Sequence, residues 1–273
     1  MIDFTKIAQR FITPDVHAVL LVGSHARGDA GEFSDVDLKL LLRDGAHHIV
    51  PATHLVDGLL VTVGGVTPDE AEEWFTNPAI SVIAIQGVRD AWVLFDPDET
   101  GAQIKQRAHA FIWDAAMQAK ANAWVSAEMV GWIEEVYKGL EGLRRHDIGR
   151  MLNARHGFSW GLSRVVQVYL GVLFSSDNGI HTELTGHVSA RWASLRDAAF
   201  GICNSDGAAI SLEEQIVAGL ELYVETARIV DHVIRPEHRA LVDHAIAAIV
   251  RSRRSCANFS RTRDSRNSEL PVQ

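Results

Sequence analysis

The feature that most constrains this chain is a change of pattern at Asp96-Pro97-Asp98. Before it, short apolar runs rich in Val, Ile and Leu alternate with turn-forming residues; beyond it, apolar residues recur at helical spacing. Short runs closed by Gly, Pro and Asp read as strands, and long i, i+3, i+4 patterns read as helices. The expected architecture is therefore α+β. A small mixed sheet domain with flanking helices spans residues 1–97, and an all-α helical-bundle domain spans 98–250. Residues 251–273, Arg/Ser-rich and with little to bury, read as a flexible tail.

Within the first part, Phe4, Ile7, Ala8 and Phe11 share one face of a short helix over 2–12, which Pro14 stops. HAVLLVGS (17–24) reads as a buried strand running into a tight turn. SDVDLKLLL (34–42) alternates Val36, Leu38, Leu40 and Leu42 with Asp35, Asp37, Lys39 and Leu41, a strand with one polar edge. Asp57-Gly58 opens a third run, LLVTVGGV, and Pro68 begins a helix with acids in its first turn. A further strand is expected at Ala91–Phe95. Beyond it, helices are expected over 101–146, 153–174, 190–201, 209–234 and 236–250. His47, His48 and His54 fall in an expected loop with no acid at ligand spacing, so they read as solvated side chains.

Composition bounds the function classes. Of 273 residues, 47% are hydrophobic and 22% charged, an ordinary globular balance. Cys203 and Cys256 are 53 positions apart, which excludes a disulfide framework or zinc ribbon and fits a reducing compartment; Cys203 reads as a small buried residue. No apolar run reaches membrane-spanning length and no export signal is visible, so the expected location is cytoplasmic, with no membrane partner. The formal charge is −9, but residues 251–273 hold six Arg against two acids, which leaves residues 1–250 at −13. A body that acidic repels phosphate backbones, disfavours a long nucleic-acid partner and attracts a cationic small molecule.

The chemistry-bearing segment is Val22-Gly23-Ser24-His25-Ala26-Arg27-Gly28 followed by Ser34-Asp35-Val36-Asp37-Leu38. Acids at i and i+2 of an extended chain share a face, their Cα atoms ~6.5 Å apart. Two carboxylates that close repel unless a cation lies between them. Mg²⁺ accepts one or two carboxylates and completes its shell with water and substrate phosphate oxygens. Gly23 lets the backbone approach a phosphate, Ser24 offers a hydroxyl and an N–H, and Arg27 adds positive charge.

Joined as G-S-x10-D-x-D with strands on both sides, the pattern resembles the active-site signature of the nucleotidyltransferase superfamily, the group with the polymerase-beta-like fold. The order of a sheet domain and then a helical bundle is similar to aminoglycoside nucleotidyltransferases of the kanamycin type. That resemblance implies Mg²⁺, two ions by analogy, on Asp35 and Asp37, and the triphosphate of ATP or another NTP on Gly23, Ser24 and Arg27. It implies transfer of AMP or another NMP to a hydroxyl of a small, cationic acceptor such as an aminoglycoside, with release of pyrophosphate. It also implies antibiotic resistance as the biological role, and a homodimer if a base comes from across a subunit boundary.

One departure from the superfamily pattern concerns the third acid commonly found in the middle of the third strand. Alternation puts Thr62 at that position, with Asp57 at the start of the run. A hydroxyl is no base, so the proton acceptor falls to Asp57 or to Glu134, whose Glu-x-x-x-Lys spacing to Lys138 resembles the kanamycin-type general base. Asp-Gly is equally a hairpin signature, and Glu-Lys at i, i+4 equally a surface helix pair. Glu128 and Glu135, on a neighbouring face, are further candidates. Two alternatives stay open: adenylylation of a protein acceptor, as in toxin–antitoxin enzymes, and a nucleotide-binding protein whose turnover was lost with the third acid.

Overall fold

The computed structural model describes residues 2–47, 49–202 and 208–267, with backbone alone from 253 onward. It divides into two compact units, Met1–Ala121 with Gly171–Glu183 and Asn122–Leu170 with Leu184–Gln273. Among the described residues, no helix is long and apolar enough to cross a membrane.

The first unit is built on five strands: β1 (Val16–Val22), β2 (Val36–Leu42), β3 (Ala52–Val56), β4 (Leu59–Val66) and β5 (Trp92–Phe95). Their order is β3-β4-β2-β1-β5, with β2 and β4 parallel and every other pair antiparallel. Alternation along β1 and β2 divides their side chains between two cores. Val19, Leu21, Val36, Leu38 and Leu40 join α1 (Phe4–Gln9) and α2 (Gly23–Arg27) on one face. Ala18, Leu20 and Leu41 join α3 (Pro68–Thr76), α4 (Pro78–Asp90) and α5 (Thr100–Ala110) on the other. Thr67 and Glu70 form a capping box that starts α3, and Asn77 accepts from the Ala79 N–H to start α4.

Two local expectations change, and one helix appears where none was expected. The segment holding His54 is an edge strand, not a loop; four of the five β3 residues are exposed, so no apolar alternation marked it. The residues before β5 form α4, whose N-terminal Asn77-Pro78 is a helix-start pair. The helix expected over 101–146 is three: α5, α6 (Ala115–Gly131) and α7 (Ile133–Arg145). Asp114 caps α6 through the Met117 N–H, and Trp132 separates α6 from α7.

The second unit packs most of α6 and α7 with α8 (Ile148–Leu170), the end of α9 (Ile180–Thr185), α10 (Ala190–Phe200), α11 (Leu212–Ile229) and α12 (Pro236–Asn267). Its core includes Val125, Met129, Val136, Phe158, Leu162, Trp192, Ile216 and Tyr223, all fully buried. Glycines permit close approach: a Cβ on Gly161 would overlap the Trp132 ring, and one on Gly219 would lie 2.5 Å from Phe158. The Arg/Ser-rich stretch begins as a continuation of α12 as far as Asn267. His48, Cys203 and residues 268–273 lie outside the described residues, as does the side chain of Cys256.

Candidate active site

Strand pairing assembles the site from segments distant in sequence. Antiparallel β1 and β2 pair Val22 with Asp37, so the turn that leaves β1 lies beside the acid that enters β2. Parallel β2 and β4 pair Asp37 with Thr62. Gly23, Ser24, Asp35, Asp37 and Thr62 thus meet at one end of the three central strands.

Gly23 and Asp37 touch. Gly23 has φ +71°, a left-handed conformation that disfavours a side chain, and a Cβ there would overlap Asp37 Oδ2. The glycine of the first motif is therefore required by the carboxylate of the second. The next residues form the single-turn helix α2 rather than a bare turn, and Gly28 closes it at φ +82°. Ser24 belongs to this turn, and its carbonyl accepts from the Gly28 N–H at 3.0 Å.

Electrostatics around Asp37 are those of a site short of positive charge. Burial, and then the negative charge of Asp35, push its carboxyl above the usual range, opposed by Lys39, Arg27 and His25. Thr62 Oγ1 donates to Asp35 Oδ2 at 2.7 Å and lies 3.3 Å from Thr53 Oγ1. Thr62 therefore orients one acid of the pair. Arg27 is held by Asp29 and donates to the Ser175 carbonyl at 3.2 Å, so part of its charge is already answered. His25 packs its ring against Phe4, and its Nε2 is buried without a hydrogen-bond partner.

The candidate proton acceptors lie elsewhere in the chain. Asp57 and Gly58 form the β3–β4 hairpin turn with φ +50° and +83°. Asp57 accepts from Arg10 Nη2 at 2.8 and 2.9 Å. It precedes Thr62 by five positions, about 16 Å along an extended strand. Glu134 stands on α7 in the second unit, largely exposed and paired with Lys138 at 2.9 Å. Glu135 shares that lysine at 2.8 Å. Glu128 on α6 is half-buried, and burial raises its carboxyl above the usual range, with the Trp132 indole pulling weakly the other way.

Sequence reasoning gave Lys39 no role beyond the polar edge of its strand. It follows Asp37 by two positions on β2 and so shares its face. Its ammonium has no hydrogen-bond or ion-pair partner among the described residues, and its charge acts on Asp37. The i, i+2, i+4 spacing of Asp35, Asp37 and Lys39 was the available signal. Lys39 and Gly23 also line a cleft of about 320 Å³, walled by Leu20, Val22, Val66, Trp74 and the α4 face that carries Ile80, Ile83, Ala84 and Gly87.

The donor set suits Mg²⁺ better than a metal wanting an all-protein cage. Among the described residues, no group of three or more His, Cys, Asp and Glu side chains is arranged to hold a metal ion. Asp35 and Asp37 offer the one or two carboxylates that Mg²⁺ takes, and a cation would relieve the repulsion that raises Asp37.

Residues 4–78 match the family model described as a nucleotidyltransferase domain. The chain carries a nucleotidyltransferase domain. The match takes in Gly23, Ser24, Asp35, Asp37 and Thr62, and a nucleotidyltransferase domain implies a nucleoside triphosphate as substrate. Among solved structures, a nucleotidyltransferase-like protein from Exiguobacterium sibiricum is similar to this chain at 14% identity and a TM-score of 0.47, over 85% of this chain and 75% of that one. No curated protein matches the sequence.

Proposed function

We propose that this nucleotidyltransferase is Mg²⁺-dependent and moves AMP or another NMP to a hydroxyl of a small cationic acceptor, an aminoglycoside being the first candidate. The observation that carries the reading is the contact between Gly23 and Asp37. It makes a phosphate-approach turn and a paired-carboxylate site one structure. Asp35 and Asp37 would hold Mg²⁺, which when bound neutralises phosphate charge and orients the triphosphate. Gly23 and Ser24 would present backbone and hydroxyl groups to the phosphates, with Arg27 supplying a guanidinium.

In the reaction the acceptor oxygen bonds to the α-phosphorus as the bond to the β-phosphate oxygen breaks. Pyrophosphate leaves, and the hydroxyl proton passes to a carboxylate. We take that carboxylate to be Glu134, on its spacing to Lys138, with Asp57 and Glu128 as the alternatives. Asp57 is engaged by Arg10 at a hairpin turn, and burial raises the proton affinity of Glu128. The −13 charge of residues 1–250 favours a cationic acceptor. A homodimer and the kanamycin-type likeness belong to the same reading.

The test is pyrophosphate release with ATP and Mg²⁺ across aminoglycosides and lincosamides, for the wild type and for Asp37→Ala, Glu134→Gln and Glu128→Gln. Release that needs one acceptor class and Asp37 supports the transferase, and the glutamine variants identify the base. Mg²⁺-dependent ATP binding with no release on any acceptor would sink the small-acceptor reading in favour of a protein acceptor or a protein without turnover.

A further inference from the structure

The cleft beside Gly23 has two properties that together select its occupant. Its walls are apolar, with Trp74 at one side and Ile83, Ala84 and Gly87 of α4 facing the sheet. Its only ionic side chain is Lys39, whose ammonium is unpaired among the described residues. Gly23, also on its wall, contacts Asp37, so whatever fills the cleft lies beside the acid pair.

Resting on the nucleotidyl-transfer reading, we infer that this cleft seats the nucleoside of the NTP, and that Lys39 binds the α-phosphate at its mouth. Two molecules meet at the α-phosphorus, the nucleotide and the acceptor. A polycationic acceptor would find an apolar slot, a like charge and no carboxylate in the lining. A nucleobase is uncharged and planar with apolar faces, and the phosphate joined to it is an anion. A volume near 320 Å³ is at the small end of ligand pockets and suits one moiety of a larger substrate. Lys39 lies two strand positions from Asp37, ~6.5 Å along the same face, within reach of a phosphate held by the acid pair. An ammonium aimed at the α-phosphoryl oxygens also stabilises charge during displacement.

Gly87 allows a clean test, because a Cβ there meets nothing within 4 Å and a helix interior accepts the change. Binding of ATP, AMP and tripolyphosphate in Mg²⁺ would be measured calorimetrically for the wild type, Gly87→Leu, Gly87→Ala and Lys39→Met, with thermal melting to confirm folding. Gly87→Leu should weaken ATP and AMP at least tenfold and leave tripolyphosphate within twofold, with Gly87→Ala changed in the same direction but less. Lys39→Met should weaken AMP at least tenfold, and it carries the test alone if the leucine variant does not fold. ATP and AMP affinities unchanged in all three variants would overturn the inference while leaving nucleotidyl transfer intact. So would unchanged nucleotide binding with a tenfold higher acceptor KM, which would give the cleft to the acceptor. A wild type that binds no NTP would defeat the functional reading as well.

Discussion

Gly23 carries the strongest constraint on any single residue of the site. An alanine there would combine a strained φ of +71° with overlap on Asp37 Oδ2. Positive-φ strain costs on the order of 1–2 kcal/mol, and the displaced carboxylate would leave its position beside Asp35. Gly23→Ala should therefore lower both stability and turnover, with kcat/KM falling at least 100-fold; wild-type rates in a well-folded variant would show that the contact is incidental. Thr62 acts more gently, by orienting Asp35 through its 2.7 Å hydrogen bond. If Asp35 holds Mg²⁺ as proposed, loss of the group that orients it costs about 10–100-fold. Thr62→Val is expected in that range with a raised Mg²⁺ requirement, and Thr62→Ser within threefold of wild type; equal rates for both would remove Thr62 from the site. At this scale Asp35, Asp37 and Gly23 stood out because spacing and residue type pointed to one shared site, and strand pairing brings them together. The hydroxyl of Thr62 was legible only as a missing acid, since its bond to Asp35 depends on the β2–β4 register.

Elements were legible where one face is buried and obscure where it is not. β1 and β2 stand out because their apolar residues are buried, while β3 is exposed along most of its length and left no pattern. The break at Trp132 was hidden because helical residues continue on both sides. Its meaning lies in packing: the indole of Trp132 lies over Gly161 of α8, where a Cβ would overlap it. Gly161→Ala gains helix propensity yet overpacks the α7–α8 contact, and overpacking of this kind costs about 1–3 kcal/mol. A lower melting temperature is expected; an unchanged or higher one would show that the tryptophan gives way freely. Tyr223 ties α11 to α6 by donating its hydroxyl to the Met129 carbonyl at 2.8 Å. Burial raises its phenol above the ordinary tyrosine range. A raised folded-state pKa means that stability is full below about pH 10 and falls above it, where the unfolded chain ionises. Tyr223→Phe should cost about 1–2 kcal/mol at neutral pH and blunt that alkaline loss. Denaturant melts at pH 7 and 10.5 measure both effects.

Over the whole molecule, two properties decide how substrates are met. The chain passes between the compact units within α6 and returns Gly171–Glu183 to the first, a connection that no composition change announces. Ser175 of that returning segment accepts from Arg27 and lines the cleft, so part of the first unit's cleft is encoded far from the Gly-Ser and Asp-x-Asp motifs. The other property, charge, was legible from counting alone: residues 1–250 carry −13 against six Arg and two acids beyond them. A field of that sign concentrates cations, and salt screens it over a Debye length of about 8 Å at physiological ionic strength. If the acceptor is polycationic, kcat/KM for it should fall about tenfold between 20 and 300 mM NaCl, through KM, with kcat nearly constant. An uncharged acceptor should show no such slope. Initial rates at saturating ATP and Mg²⁺ across that range separate the cases. A kcat/KM that rises with salt would mean that the modified group arrives on an anion, and would turn the search for the acceptor from cationic antibiotics to acidic molecules.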